Sequence, residues 1–206
     1  MIELPQTYLV TPSSFELARF ADDLARVLDA GPIACVRLAL ASRDQDDLCR
    51  TADALRLVCH ERDICLVISD HVVLVEKLGL DGVHLTAGTR GVREARKALG
   101  VDAIVGSHCG TSRHDGMSAG EAGADYISFG PVGGGDLGDG ALAQTEVFEW
   151  WSQMIELPVV AEGGLAAEDV SRLAPFVDFF AFGDEVWSKD DPVHALNAMR
   201  AAMTPP

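Results

Sequence analysis

Ala161-Glu162-Gly163-Gly164-Leu165-Ala166 closes an apolar run, Pro158-Val159-Val160, and leads into a helix that begins at Ala167. A Gly-Gly pair where a strand hands over to a helix leaves bare backbone N–H groups facing outward, and the helix start adds its dipole. Such a turn suits an anion, most often a phosphate, although the same pair also serves as a plain turn. Its place in the chain gives it weight. It follows the seventh of eight strand–helix units, and in a closed eightfold parallel barrel the loops after strands seven and eight commonly form a phosphate site.

Short apolar, largely non-alternating runs predict the strands at residues 7–10, 33–40, 64–69, 82–85, 103–107, 126–130, 158–161 and 179–182. Runs of that kind belong to strands covered on both faces. The segments between them carry helical spacing. In the first, Phe15, Leu17, Ala18, Ala21, Leu24, Ala25 and Leu28 form an apolar stripe with Asp22, Asp23 and Arg26 opposite. Ser13 and Ser14 offer an N-cap and Gly31-Pro32 a stop. Residues 44–60, 141–155 and 192–203 read likewise. The alternation predicts a (β/α)8 TIM barrel, an α/β fold, in one domain over 1–206. An open doubly wound sheet is the alternative, but Thr11-Pro12-Ser13-Ser14 lacks a dinucleotide-binding glycine fingerprint. The glycine-rich stretch 133–140 after strand six reads as a lid or as a disordered connection.

Composition narrows the partners. With 16 basic against 32 acidic residues the 206-residue chain has a formal net charge of −16. That argues against nucleic acid and anionic membranes, which need clustered Lys and Arg. It also repels phosphorylated ligands unless basic residues are placed locally. No run approaches the roughly 18 apolar residues of a membrane span. The start, Met1-Ile2-Glu3-Leu4-Pro5, has no signal-peptide pattern. Cys35, Cys49, Cys59, Cys65 and Cys109 are odd in number and lack Cys-x-x-Cys spacing, which suits a reducing cytoplasm and gives no zinc site. Cys109, just past a strand end, is the one candidate for a reactive thiol. Trp150-Trp151 on an amphipathic helix serves either barrel packing or a contact in a homo-oligomer.

Catalytic groups in this architecture sit at the C-terminal ends of strands. Arg37 is a lone charge in strand two, and a buried arginine needs an anion, either an internal carboxylate or a ligand phosphate. Strand three ends in Ser69-Asp70-His71, strand four in His84 and strand five in Ser107-His108. These groups suit acid–base work or metal binding. His84 also reads as a core histidine bonded to its neighbours; His108, nearer the loop, is the better general base.

Together these pieces resemble the thiamine phosphate synthase and thiazole tautomerase family of small (β/α)8 barrels. The resemblance spans nearly the whole chain and is clearest at residues 64–85 (ICLVISDHVVLVEKLGLDGVHL), 105–131 (VGSHCGTSRHDGMSAGEAGADYISFGP) and 158–165 (PVVAEGGL). It implies the joining of a hydroxymethylpyrimidine diphosphate to a thiazole phosphate in thiamine biosynthesis, with magnesium and loss of pyrophosphate. By the resemblance, Arg37 holds the pyrimidine diphosphate, Asp70 binds magnesium, and Gly163 and Gly164 hold the thiazole phosphate. Ser69, Ser107, Gly130, Gly183 and Asp184 complete the expected substrate-binding set, with His84 and His108 as catalytic candidates.

The chain departs from the family pattern. The family's Gln-x-Arg-x-Lys on strand two appears as Cys35-Val36-Arg37-Leu38-Ala39, and its second metal-binding aspartate falls on Thr89. The Thr-x-Thr-Lys of its diphosphate loop falls on Gly135, Asp136, Leu137 and Gly138. Glu162 precedes Gly163-Gly164 where the family is usually apolar, and the phosphate-binding serine of strand eight falls on Asp184. A carboxylate about 4 Å from a phosphate costs roughly 4 kcal/mol at a surface-like dielectric, against about 0.3–1 kcal/mol returned by a helix start. The tautomerase branch has a histidine where this chain has Pro131. The sequence therefore predicts a synthase-like barrel with low or absent coupling activity and weak magnesium binding. A silent ligand- or partner-binding homologue, or an isomerase using His84 or His108, are the alternatives.

Overall fold

A computed structural model describes residues 4–42, 44–134 and 137–204. Eight strands, β1 (Gln6–Val10), β2 (Cys35–Leu38), β3 (Cys65–Ser69), β4 (Gly82–Leu85), β5 (Ile104–His108), β6 (Tyr126–Phe129), β7 (Val159–Glu162) and β8 (Phe179–Phe182), pair in parallel in chain order. β1 and β8 close the ring, with Tyr8 opposite Ala181. Each strand is followed by a helix: α1 (Leu17–Asp29), α2 (Gln45–His60), α3 (Val72–Leu78), α4 (Val92–Leu99), α5 (Arg113–Ala122), α6 (Thr145–Met154), α7 (Ala167–Leu173) and α8 (Asp184–Trp187). A final helix, α9 (Pro192–Ala202), completes the outer ring.

The two faces of each strand divide the core. Leu9, Val36, Leu66, Val83, Ile127, Phe129, Phe180 and Phe182 pack outward against the helices. Tyr8, Cys35, Val67, Tyr126, Val160 and Ala181 form a separate inner cluster. Period-two alternation explains why both sets are apolar and why the runs looked continuous in the sequence. Gly106 makes the inner layer possible. A Cβ there would lie 2.1 Å from Cζ of Tyr126, so the bare backbone is what admits the tyrosine ring.

Two expectations need correction. The cap of α1 is neither Ser13 nor Ser14 but Glu16, whose carboxylate accepts from Ala18 N (3.0 Å) and Arg19 N (2.8 Å). The helix begins at Leu17, so the two serines lie too far upstream to reach its first amides. Cys109 is buried, and burial pushes its thiol up to about 12, which disfavours the nucleophilic thiolate. Trp151 packs edge-on against Phe129 and donates from Nε1 to Leu157 O (2.8 Å), the barrel-packing use expected of it, while Arg113 lies over half-buried Trp150.

Candidate functional site

Parity along each strand sets which side chains reach the barrel interior. Arg37 on β2 is two residues from inward-facing Cys35, Ser128 on β6 is two from Tyr126, and Glu162 on β7 is two from Val160. They meet near the C-terminal ends of the strands. Glu162, 2% exposed, accepts from Arg37 Nη2 through Oε2 (2.6 Å). Its Oε1 accepts from His108 Nδ1 (2.9 Å) and Ser128 Oγ (2.5 Å). Burial alone would raise the Glu162 carboxyl, but the Arg37 guanidinium and the His108 hydrogen bond outweigh it and hold the group well below the carboxylate range. Burial likewise opposes charge on Arg37, and the Glu162 carboxylate restores it.

His84 belongs to a second chain of bonds. Its Nδ1 pairs with Tyr126 Oη (2.9 Å), which pairs with Tyr8 Oη (2.9 Å). It is fully buried, and burial with the neighbouring Arg37 charge holds its imidazole well below the ordinary value, so the ring is neutral. Nε2 of His84 and Nε2 of His108 are both buried without a hydrogen-bond partner among the described residues. With Glu162 ionised, Nδ1 of His108 is the donor, which leaves its Nε2 as the acceptor. A Cβ at Gly138 would come 3.5 Å from that nitrogen, so the loop after β6 lies over it. A carboxylate behind one imidazole nitrogen and no partner on the other is an arrangement able to accept a proton at Nε2.

Above this network lies a cavity of about 590 Å³, lined by Arg37, Glu162, Gly163, Gly164, Gly183 and Asp184 among others. Gly163 and Gly164 have φ of +88° and +66°, where side chains are strained. A Cβ on Gly164 would also come 2.5 Å from Gly134 O, because the loop after β6 docks here. Val132 N and Gly133 N both donate to Gly163 O (2.9 and 3.0 Å). Of the expected diphosphate loop, Gly135 and Asp136 lie outside the described residues, and Leu137 lines the cavity.

The predicted residues thus divide. Arg37, Gly163, Gly164, Gly183 and Asp184 share the cavity, and His84 and His108 sit in the interior beneath it. Ser107 faces the other way: its Oγ donates to Gly88 O (2.8 Å) in the loop after β4, as parity one residue from inward-facing His108 requires. Ser69 ends β3 outside the cavity lining, and Gly130 packs against the β7 backbone, where a Cβ would lie 2.4 Å from Glu162 O. Asp70 accepts from Thr86 N (2.8 Å) through Oδ1 and from Thr86 Oγ1 (2.5 Å) through Oδ2. Among the described residues no three His, Cys, Asp or Glu side chains converge as metal ligands.

Sequence reading missed Glu162, Ser128 and Glu185. The signal for Glu162 was available, since an arginine inside strand two calls for a carboxylate on another strand. Ending strand seven at Ala161 made Glu162 look like a turn residue.

Fold and site together define a (β/α)8 barrel with a small-molecule cavity at the C-terminal mouth, beside the loops after β7 and β8. The profile described as thiamine monophosphate synthase matches residues 7–182. The chain is 40% identical over 185 residues to the thiamine-phosphate synthase of Rhodospirillum centenum, covering 88% of each. It is 37% identical over 196 residues to that of Erythrobacter litoralis, covering 92% of each. Thiamine phosphate pyrophosphorylase from Pyrococcus furiosus superposes with a TM-score of 0.83 at 20% identity, over 96% of this chain and 95% of that one. The chain belongs to the thiamine monophosphate synthase family.

Proposed function

We propose that this chain holds the pyrimidine and thiazole precursors of thiamine at its barrel mouth, as a thiamine-phosphate-synthase-like protein of the cytoplasm, and couples them far more slowly than an authentic synthase. One observation carries the reading: Arg37 on β2, the Gly163–Gly164 turn after β7 and Gly183 after β8 line a single cavity. These are the positions that the family resemblance relates to the two substrates. The names of the two relatives that cover about nine-tenths of the chain support the same substrate class.

The slow rate follows from charge. Arg37 is the one base among the described residues of the cavity lining, and Glu162 already holds it. Asp184 stands where the family has a phosphate-binding serine, and the strand-two and loop lysines are replaced by Ala39 and Gly138. Each lost charge-assisted contact costs about 1.5–3 kcal/mol, though such effects need not add. Two or three together correspond to a loss of roughly a thousandfold or more. A coupling assay with both phosphorylated substrates and magnesium, run beside an authentic synthase, should return that deficit. Turnover equal to the authentic enzyme would refute the reading.

Asp70 is the one carboxylate that matches the family's metal ligands, and Thr86 holds it. Magnesium usually needs one or two carboxylates with substrate phosphates. Calorimetric titration of magnesium into the free protein should therefore give weak binding; tight binding abolished by Asp70→Ala would mean that further ligands join Asp70 around the metal.

A further inference from the structure

The two ends of the mouth cavity are chemically unlike. At the β7–β8 end the carboxylate of Glu185 bridges both loops: Oε1 accepts from Leu165 N (2.9 Å) and Oε2 from Gly183 N (2.7 Å). Leu165 directly follows the Gly163–Gly164 turn, and Gly183 directly follows β8. Loops at these two places in a (β/α)8 barrel are where backbone N–H groups commonly meet a phosphate. Here two of those donors already carry an anion that belongs to the chain itself. Asp184 adds a second carboxylate to the same end of the lining. At the other end Arg37, 5% exposed, is paired with Glu162 and keeps an Nε with no hydrogen-bond partner among the described residues. Among the described residues the lining therefore carries more negative than positive charge, and its unmatched buried donor lies on Arg37.

We propose that the β7–β8 end of the mouth takes a neutral hydroxyl, so that the ligand is a hydroxyalkyl heterocycle in its alcohol form in place of the phosphate ester. The inference rests on the reading that a thiazole binds at this mouth, and names the form in which it binds. A primary alcohol brings no charge and donates a hydrogen bond to a carboxylate such as Asp184. A phosphate monoester brings a negative charge of one to two into a lining that already holds Glu162, Asp184 and Glu185, and finds Leu165 N and Gly183 N already bonded. A neutral ring acceptor satisfies the Arg37 end without competing with Glu162.

Isothermal calorimetry with a hydroxyethylthiazole, its phosphate monoester and inorganic phosphate tests this on the wild type, Glu185→Ala and Glu185→Gln. The alcohol should bind the wild type at least tenfold more tightly than the ester. Glu185→Ala, which frees both amides, should raise affinity for the ester and for inorganic phosphate at least tenfold. Glu185→Gln keeps the side-chain shape while removing its charge, and should move both in the same direction by a smaller factor. Circular dichroism melts establish that each variant is folded, and the Gln variant carries the test should the Ala variant unfold. An ester that binds the wild type as tightly as the alcohol, or variants that gain no affinity for either phosphate, would overturn the inference while leaving the thiazole site standing. If neither thiazole compound binds any form of the protein, the site reading itself is overturned, and the alcohol preference with it.

Discussion

Glu162 ties its own strand to three others, through Arg37 on β2, His108 on β5 and Ser128 on β6. Removing one member of such a buried pair leaves the other charge uncompensated, which costs about 3–5 kcal/mol, whereas an apolar replacement of both is often neutral. Glu162→Leu should therefore lower the urea midpoint sharply, and adding Arg37→Leu should recover much of the loss. The pH dependence has two windows. His84 has its folded pKa below the ordinary 6.5, so the neutral ring contributes stability above pH 6.5 that is lost as pH falls beneath it. Glu162 has its folded pKa below 4.5, so its contribution is present above pH 4.5 and lost as pH falls through the lower folded value. Unfolding by urea should show stability declining from about pH 6.5 downward, steepening at the Glu162 window. A wild type equally stable from neutrality to about pH 4.5 would contradict the His84 assignment, and one that lost no further stability below that would contradict the Glu162 assignment. At this scale the sequence showed that Arg37 needed an anion but not which one, because residues 37 and 162 stand 125 positions apart.

Helices and strands were legible because their signals are local. All eight predicted strands overlap an observed one, and α2 and α9 fall within the expected segments 44–60 and 192–203. The errors sit at ends. β5 runs on to His108 and β7 to Glu162, since an inward polar residue at a strand end looks like the start of a loop until its partners across the barrel are known. α1 illustrates the same limit for capping. Ser13 and Ser14 have the favoured chemistry, but Glu16 is at the residue before the first helical turn and bonds two of its amides. Glu16→Ala should lower the urea midpoint, and Ser14→Ala should move it much less. The reverse order would mean that the serine cap forms in solution.

Over the whole molecule, the charge of −16 sets the response to salt. Exposed i,i+3 pairs such as Arg26–Asp23 and Arg50–Asp47 are weakened by salt, but each is worth little. Self-repulsion among the excess carboxylates is the larger effect and is screened over a Debye length of about 8 Å at physiological ionic strength. The thermal midpoint should rise on adding salt, by about 2–4 °C if screening is worth about 1 kcal/mol; a fall would mean that the surface pairs dominate. The sequence by itself determined the alternation of elements, the closed barrel, the mouth and the family, because apolar periodicity and short motifs are properties of neighbouring residues. Tertiary structure alone decided that Arg37 is held by Glu162, that Ser107 faces Gly88 and that Glu185 spans Leu165 and Gly183. Those pairings depend on strand register and side-chain parity around a closed ring, which bring together groups that no local pattern connects.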